Sequence, residues 1–232
     1  MNRIFKCLIV LICSLTSSII ACGQNVPSVF TSDIDNFWIA FDSLQNIKEK
    51  NTQIEVMQSV YIDKATYGLK MFMELRNFDA AKLVEVINKY PKFWRSIRGN
   101  TLTVKQALPT IETNIQRFKL LYPDLRPAKM YFTISAIKAA GVGQDSIALI
   151  GSEIAMGDKN TDVSEFPDKR LEDFFKPKSS VDIVPVAIHE YVHTQQKRES
   201  KILLGEATVL ALKIARIFNK PLEEIFILED GD

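Results

Sequence analysis

Beyond Cys22 the sequence has no cysteine: Cys7, Cys13 and Cys22 are all that occur in 232 residues. No disulfide can therefore staple the chain that follows. Histidine is scarcer still, with His189 and His193 the only two. Charge of neither sign is in excess, since 29 basic and 28 acidic residues leave a formal net charge of +1. A chain so near neutrality has no general attraction for nucleic acid or for an anionic membrane surface. Disorder is excluded as well, because 47% apolar and 25% charged residues are the balance of a folded soluble protein. The length suits one sizeable domain or two small ones.

What is present begins with a leader. Arg3 and Lys6 precede an apolar run that starts at Leu8 and continues to Ala21, the layout of a secretory signal and too short for a secure membrane-spanning helix. Its end, Ile19-Ile20-Ala21-Cys22, resembles the lipobox of bacterial lipoproteins, which implies cleavage after residue 21 and lipidation of Cys22. Removing residues 1–21 takes away two basic residues and no acid, so the charge moves from +1 to −1. Attachment to a membrane outside the cytoplasm would then come from the lipid. Residues 22–32 read as a linker.

The first half of the remaining chain is patterned for helices. Ile34, Phe37, Trp38, Phe41 and Leu44 recur at helical spacing after Thr31 and Ser32, either of which can cap. A second helical stretch covers residues 51–75, with a break expected at Gly68. Asp79 caps a third, Pro91 opens a fourth that Gly99 ends, and a fifth starts near Pro109 and stops at Tyr122-Pro123. Character changes at Lys129. Residues 130–134 form a β-rich run, Gly141-Val142-Gly143-Gln144-Asp145 reads as a turn, and residues 146–155 form a second run, so a small antiparallel hairpin is expected. Residues 157–180, rich in Asp, Lys, Pro and Ser, read as a surface loop pinned by Phe174, Phe175 and Pro177. The fold class is α+β and mainly helical.

The stretch His189-Glu190-Tyr191-Val192-His193 organises the rest. Residues four apart on a helix project from one face, so both imidazoles can bind one ion. Glu190, one position round the helix, is placed to take a proton from a water activated by that ion. Ser179 or Ser180 is the expected cap, and Pro185 is tolerable only inside the first turn. Val184, Ala187, Ile188, Tyr191 and Val192 make an apolar stripe that leaves the histidines off the deepest core. The pattern points to zinc hydrolysis, with Zn2+ the expected cofactor. Catalytic zinc takes three protein ligands and keeps one open position. Glu206 is the preferred third ligand, returning on a second helix. Glu199 is the other candidate, although the chain-turning glycine that its arrangement needs is replaced by Gln196.

On the lipobox and the H-E-x-x-H neighbourhood, the chain from Ser32 to Ala207 resembles predicted zinc-dependent protease lipoproteins, the group similar to gliding-motility lipoprotein B. The resemblance implies a zincin-like domain over residues 33–207 and a peptide or protein substrate aligned on the 146–155 strand by strand addition. It also implies a lipid-anchored place in the bacterial envelope. The group continues with a Leu-Leu stretch and an acidic residue before glycine. Here Leu203-Leu204-Gly205-Glu206-Ala207 runs on without that Glu-Gly pair. Residues 208–232 form an atypical helical tail that resembles the closing helices of Xre-like helix-turn-helix regulators, without a recognition helix, so no nucleic-acid partner is expected. A non-catalytic envelope lipoprotein that keeps the fold for binding or motility stands as the alternative.

Overall fold

The computed structural model of the protein describes residues 28–178 and 182–195. The leader with Cys22, both candidate third ligands Glu199 and Glu206, and the 208–232 tail lie outside those residues. Among the described residues no helix is long and apolar enough to cross a membrane.

A helical layer is built on the expected stripes. Helix α1 (Ser32–Leu44) buries Ile34, Phe37, Trp38, Phe41 and Leu44. Helix α2 (Lys50–Met57) runs into a π-helical turn, Gln58–Ile62. Helix α3 (Tyr67–Arg76) then starts at Thr66, whose hydroxyl accepts from Leu69 N. The interruption thus falls before Gly68, which sits inside α3 because Tyr131 packs where its Cβ would be. Asp79 caps α4 (Ala80–Lys89) as expected, accepting from Lys82 N at 2.8 Å. Pro91 opens α5 (Pro91–Leu102), which runs through Gly99 rather than ending there. Helix α6 (Val104–Leu121) begins five residues before Pro109, so that proline lies inside it. The bond forfeited to the Lys105 carbonyl is at an exposed residue, where water can replace it.

Where these helices meet, Phe37 lies edge-on to Trp38 and Tyr61 and tilted against Trp94, with ring centroids 5.0–5.4 Å apart. Each polar handle in the cluster is bonded: Trp38 Nε1 to Thr101 Oγ1, Trp94 Nε1 to the Val86 carbonyl, and Tyr61 Oη to the Ile134 backbone. Burying each such ring contributes about 1.5–3 kcal/mol.

The sheet corrects the sequence reading. Its strands are β1 (Val29–Phe30), β2 (Lys129–Thr133), β3 (Gly141–Gln144) and β4 (Ile147–Gly151), in the order β1-β2-β4-β3. It is mixed rather than antiparallel: β2 pairs parallel with β1 and with β4, and only β3 and β4 are antiparallel. The expected turn at residues 141–145 is itself mostly strand β3, and the hairpin turns at Asp145-Ser146, with Asp145 at φ 50°. The 146–155 run is not an edge. Its strand part, β4, is inserted between β2 and β3, and Ser152–Ala155 leaves it as the short helix α7.

The 157–178 stretch is pinned more firmly than its composition suggests. It contains helix α8 (Arg170–Phe175), buries Phe175, and stacks Phe166 on Tyr90 at 4.1 Å. Glu165 accepts the backbone N–H of Lys92 and Phe93 and so caps α5.

On the surface, Arg98 forks onto Asp42 at 2.6 and 2.8 Å while lying over the Trp38 ring. The guanidinium holds the Asp42 carboxyl below its usual range. A depressed folded pKa means stability that is present above the unfolded value of about 3.9 and is lost as pH falls through the folded one. Because the pair is solvated, Asp42→Asn is expected to cost about 0.5 kcal/mol at pH 7. In urea unfolding, its difference from wild type should shrink below pH ~4.

Candidate metal centre

Helix α9 (Ile183–His193) carries the H-E-x-x-H residues, and its start explains their orientation. Asp182, not Ser179 or Ser180, is the cap residue: its carboxylate accepts from Val184 N at 3.2 Å. The two serines themselves lie outside the described residues. Pro185 is therefore the third helical residue, inside the turn where its missing N–H costs nothing. Ile183, Ala187, Ile188, Tyr191 and Val192 are buried, and both histidines are half-buried beside them. Val184, expected in the stripe, is only half-buried.

The last turn of α9 is clamped by the segment leading into β2. Ala128 N–H donates to Tyr191 Oη at 3.2 Å, and Arg126 donates to the Thr194 carbonyl at 2.7 Å, where a cation also favours the helix C-terminus. Gln195 completes the clamp, its side chain accepting from Arg126 N and donating to Arg126 O. Nothing in the sequence separated Arg126 from the other surface arginines, because its role depends on a contact 69 residues away.

At the centre, His189 Nε2 and His193 Nε2 are 2.9 Å apart, with the rings crossing at 83°. Two nitrogens each about 2.0–2.1 Å from one zinc ion stand about 3.3 Å apart at tetrahedral corners, so one ion can be shared by the pair once the rings part by a few tenths of an ångström. Burial, with His193 adding to it, lowers the His189 pKa to about 4. Its imidazole is therefore neutral at pH 7, the form that binds metal.

Glu190 is 8% exposed, and burial raises its pKa to about 7 against the opposing pull of His193. Among the described residues no N–H or O–H donates to its carboxylate. Strand β3 covers it: a Cβ on Gly141 would overlap its Oε1, and a Cβ on Gly143 would overlap the His193 Cβ. Both glycines were legible only as a turn signal, although glycine within a strand also marks a close approach. No group of three or more His, Cys, Asp or Glu side chains converges on one point among the described residues. Any third ligand would have to come from residues beyond them.

Strand β3 is reached through residues 134–140, which cross two strand spacings, roughly 9–10 Å, because β4 lies between β2 and β3. That loop is strained and tied. Ala136 and Ile137 have φ of 56° and 61°, each costing about 1–2 kcal/mol. Glu153, fully buried, accepts from Ser135 N, Ser135 Oγ and Ile137 N at 2.8–3.1 Å. Burial pushes its pKa up while these donors pull it down.

Glu153→Ala would orphan the buried donors and release the loop, so it is expected to lower unfolding free energy by about 3 kcal/mol, measured in urea. No family model matches the chain, and no curated protein or solved structure matches it either.

Proposed function

We propose that this protein is a membrane-anchored, zinc-dependent metallopeptidase. The observation that carries this reading is the approach of His189 and His193 Nε2 to 2.9 Å beside a buried Glu190 carboxylate with no hydrogen-bond donor among the described residues. Structural carboxylates in the same fold are saturated by donors, as Glu153 is. A desolvated carboxylate with no donor among the described residues is suited to accept a proton.

Zinc bound here would supply Lewis acidity, polarising the scissile carbonyl and making an attacking water more acidic. His189 and His193 would hold the ion through their Nε2 atoms. Glu190 accepts the proton as the water oxygen bonds to the carbonyl carbon, and returns it to the amine nitrogen as the C–N bond breaks. The third ligand would be Glu206, or else Glu199.

Of the two edges of the described sheet, β1 and β3, the one beside Glu190 is β3, while β4 is paired on both sides. Main-chain bonds to that edge would lay the substrate along the strand that touches Glu190. Anchoring through a lipid on Cys22 would place the domain at the bacterial envelope.

Purified protein is expected to hold about one zinc per chain by metal analysis, the stoichiometry of a single catalytic site. Glu190→Gln should keep the metal and lose at least about a hundredfold in peptide hydrolysis. A metal-free wild type in zinc-containing buffer would sink the reading, and unchanged activity in Glu190→Gln would leave a scaffold role in its place. Separately, Cys22→Ser should move the protein from the membrane pellet to the soluble fraction.

A further inference from the structure

Helix α9 touches the sheet edge through two glycines that alternate with larger residues. Residues two apart on a strand share a face, and residues three apart on a helix share a side, so Gly141 and Gly143 meet Glu190 and His193 in matching order. Neither glycine has φ in the left-handed region, so each is needed for space and not for backbone freedom. What they make room for differs. At Gly141 the three nearest atoms all belong to the Glu190 side chain beyond its Cβ: Oε1, Cδ and Cγ. Gly143 faces the root of His193: its Cβ, with the carbonyl carbon and Cα at 3.2 and 3.3 Å.

The consequences of adding a methyl group differ accordingly. A side-chain tip can swing aside by rotation about χ angles, leaving the helix where it is. A Cβ and backbone cannot move without the helix, so the same methyl at position 143 must lift the last turn of α9 from β3. That turn is clamped at its other end by Arg126 and Gln195, so the displacement would tilt His193 relative to His189.

We propose that Gly141 and Gly143 are separate positioning residues for the two halves of the site, Gly141 seating the Glu190 carboxylate and Gly143 seating the His193 imidazole. The assignment rests on the zinc-hydrolase reading above. It makes strand β3 the wall of the site as well as the edge of the sheet. It also means that proton transfer and metal binding can be impaired independently by substitutions two residues apart.

The test uses full-length protein carrying Gly141→Ala, Gly143→Ala or Val142→Ala, the last on the opposite face of β3. Zinc affinity is read by chelator competition, coordination by the visible absorption of cobalt(II)-loaded protein, and turnover with a quenched-fluorescent peptide library. Gly141→Ala should bind zinc within about threefold of wild type and leave the cobalt spectrum unchanged, while kcat falls about a hundredfold or more with little change in KM. Gly143→Ala should weaken zinc by about 10–100-fold and shift the cobalt bands. Val142→Ala should change neither, whatever its effect on melting temperature.

Loss of zinc in both glycine variants alike, or full turnover in Gly141→Ala, would overturn the proposal while leaving a zinc-binding wild type intact. A wild type without zinc affinity would overturn the hydrolase reading and this proposal together. If wild type binds zinc but cleaves no library peptide, the crystal structure of Gly141→Ala decides: a displaced Glu190 carboxylate over an unmoved histidine pair supports the assignment, and an unmoved carboxylate overturns it.

Discussion

The close approach of α9 to strand β3 is the constraint on which the candidate site depends. A helix normally stands off a sheet by the length of its side chains, and here two positions on the strand have none. The apolar residues of α9 pack into the body of the protein, so the helix is buried without using its histidines. Glu190 is drawn into the contact with β3 and loses its water there, which is why its pKa climbs. A second glycine, Gly68, admits Tyr131 to α3 in the same way on the opposite face of the sheet. The sheet is thus pinched between two helices, and neither pinch tolerates a methyl group without movement.

Three of the four buried carboxylates among the described residues differ in how they are satisfied. Asp33 is bonded to the backbone and hydroxyl of Thr66, which ties α1 to the start of α3. Glu153 binds the strained 135–137 loop. Both have pKa values raised by burial and opposed by their donors. Among the described residues Glu190 has the burial without the donors. Desolvation without such donors among the described residues is what raises its pKa to about 7.

How much of this was legible in the sequence depended on the range of the interaction. The α1 stripe, the Asp79 cap and the helical start at Pro91 are local, set by periodicity and by groups three or four residues apart, and they emerged where expected. The pairing of His189 with His193 is local too. The sheet was misread because strand order is not local. Residues 141–144 have poor β propensity and were assigned to a turn, yet the packing of α9 makes glycine the residue that fits. The parallel pairing of β2 with β4 followed from an insertion that no periodicity encodes. Pro109 and Gly99 were read as helix boundaries on propensity alone, and the burial of Val104, Ile111 and Thr101 carried both helices past them.

The insertion of β4 between β2 and β3 has a kinetic meaning. Strands β2 and β3 have no hydrogen bonds to each other, so β3 has no partner until β4 is in place. The chain that completes β4 delivers Glu153 two residues later, and with it the carboxylate that closes the loop between β2 and β3. Because β3 and β4 are joined by a tight turn their pairing is the local one, and the 134–140 connection closes where that hairpin docks on β2 and Glu153 meets residues 135–137. The wall against which α9 packs is therefore complete only once a local hairpin has made a non-local parallel pairing, the slower kind of contact to form.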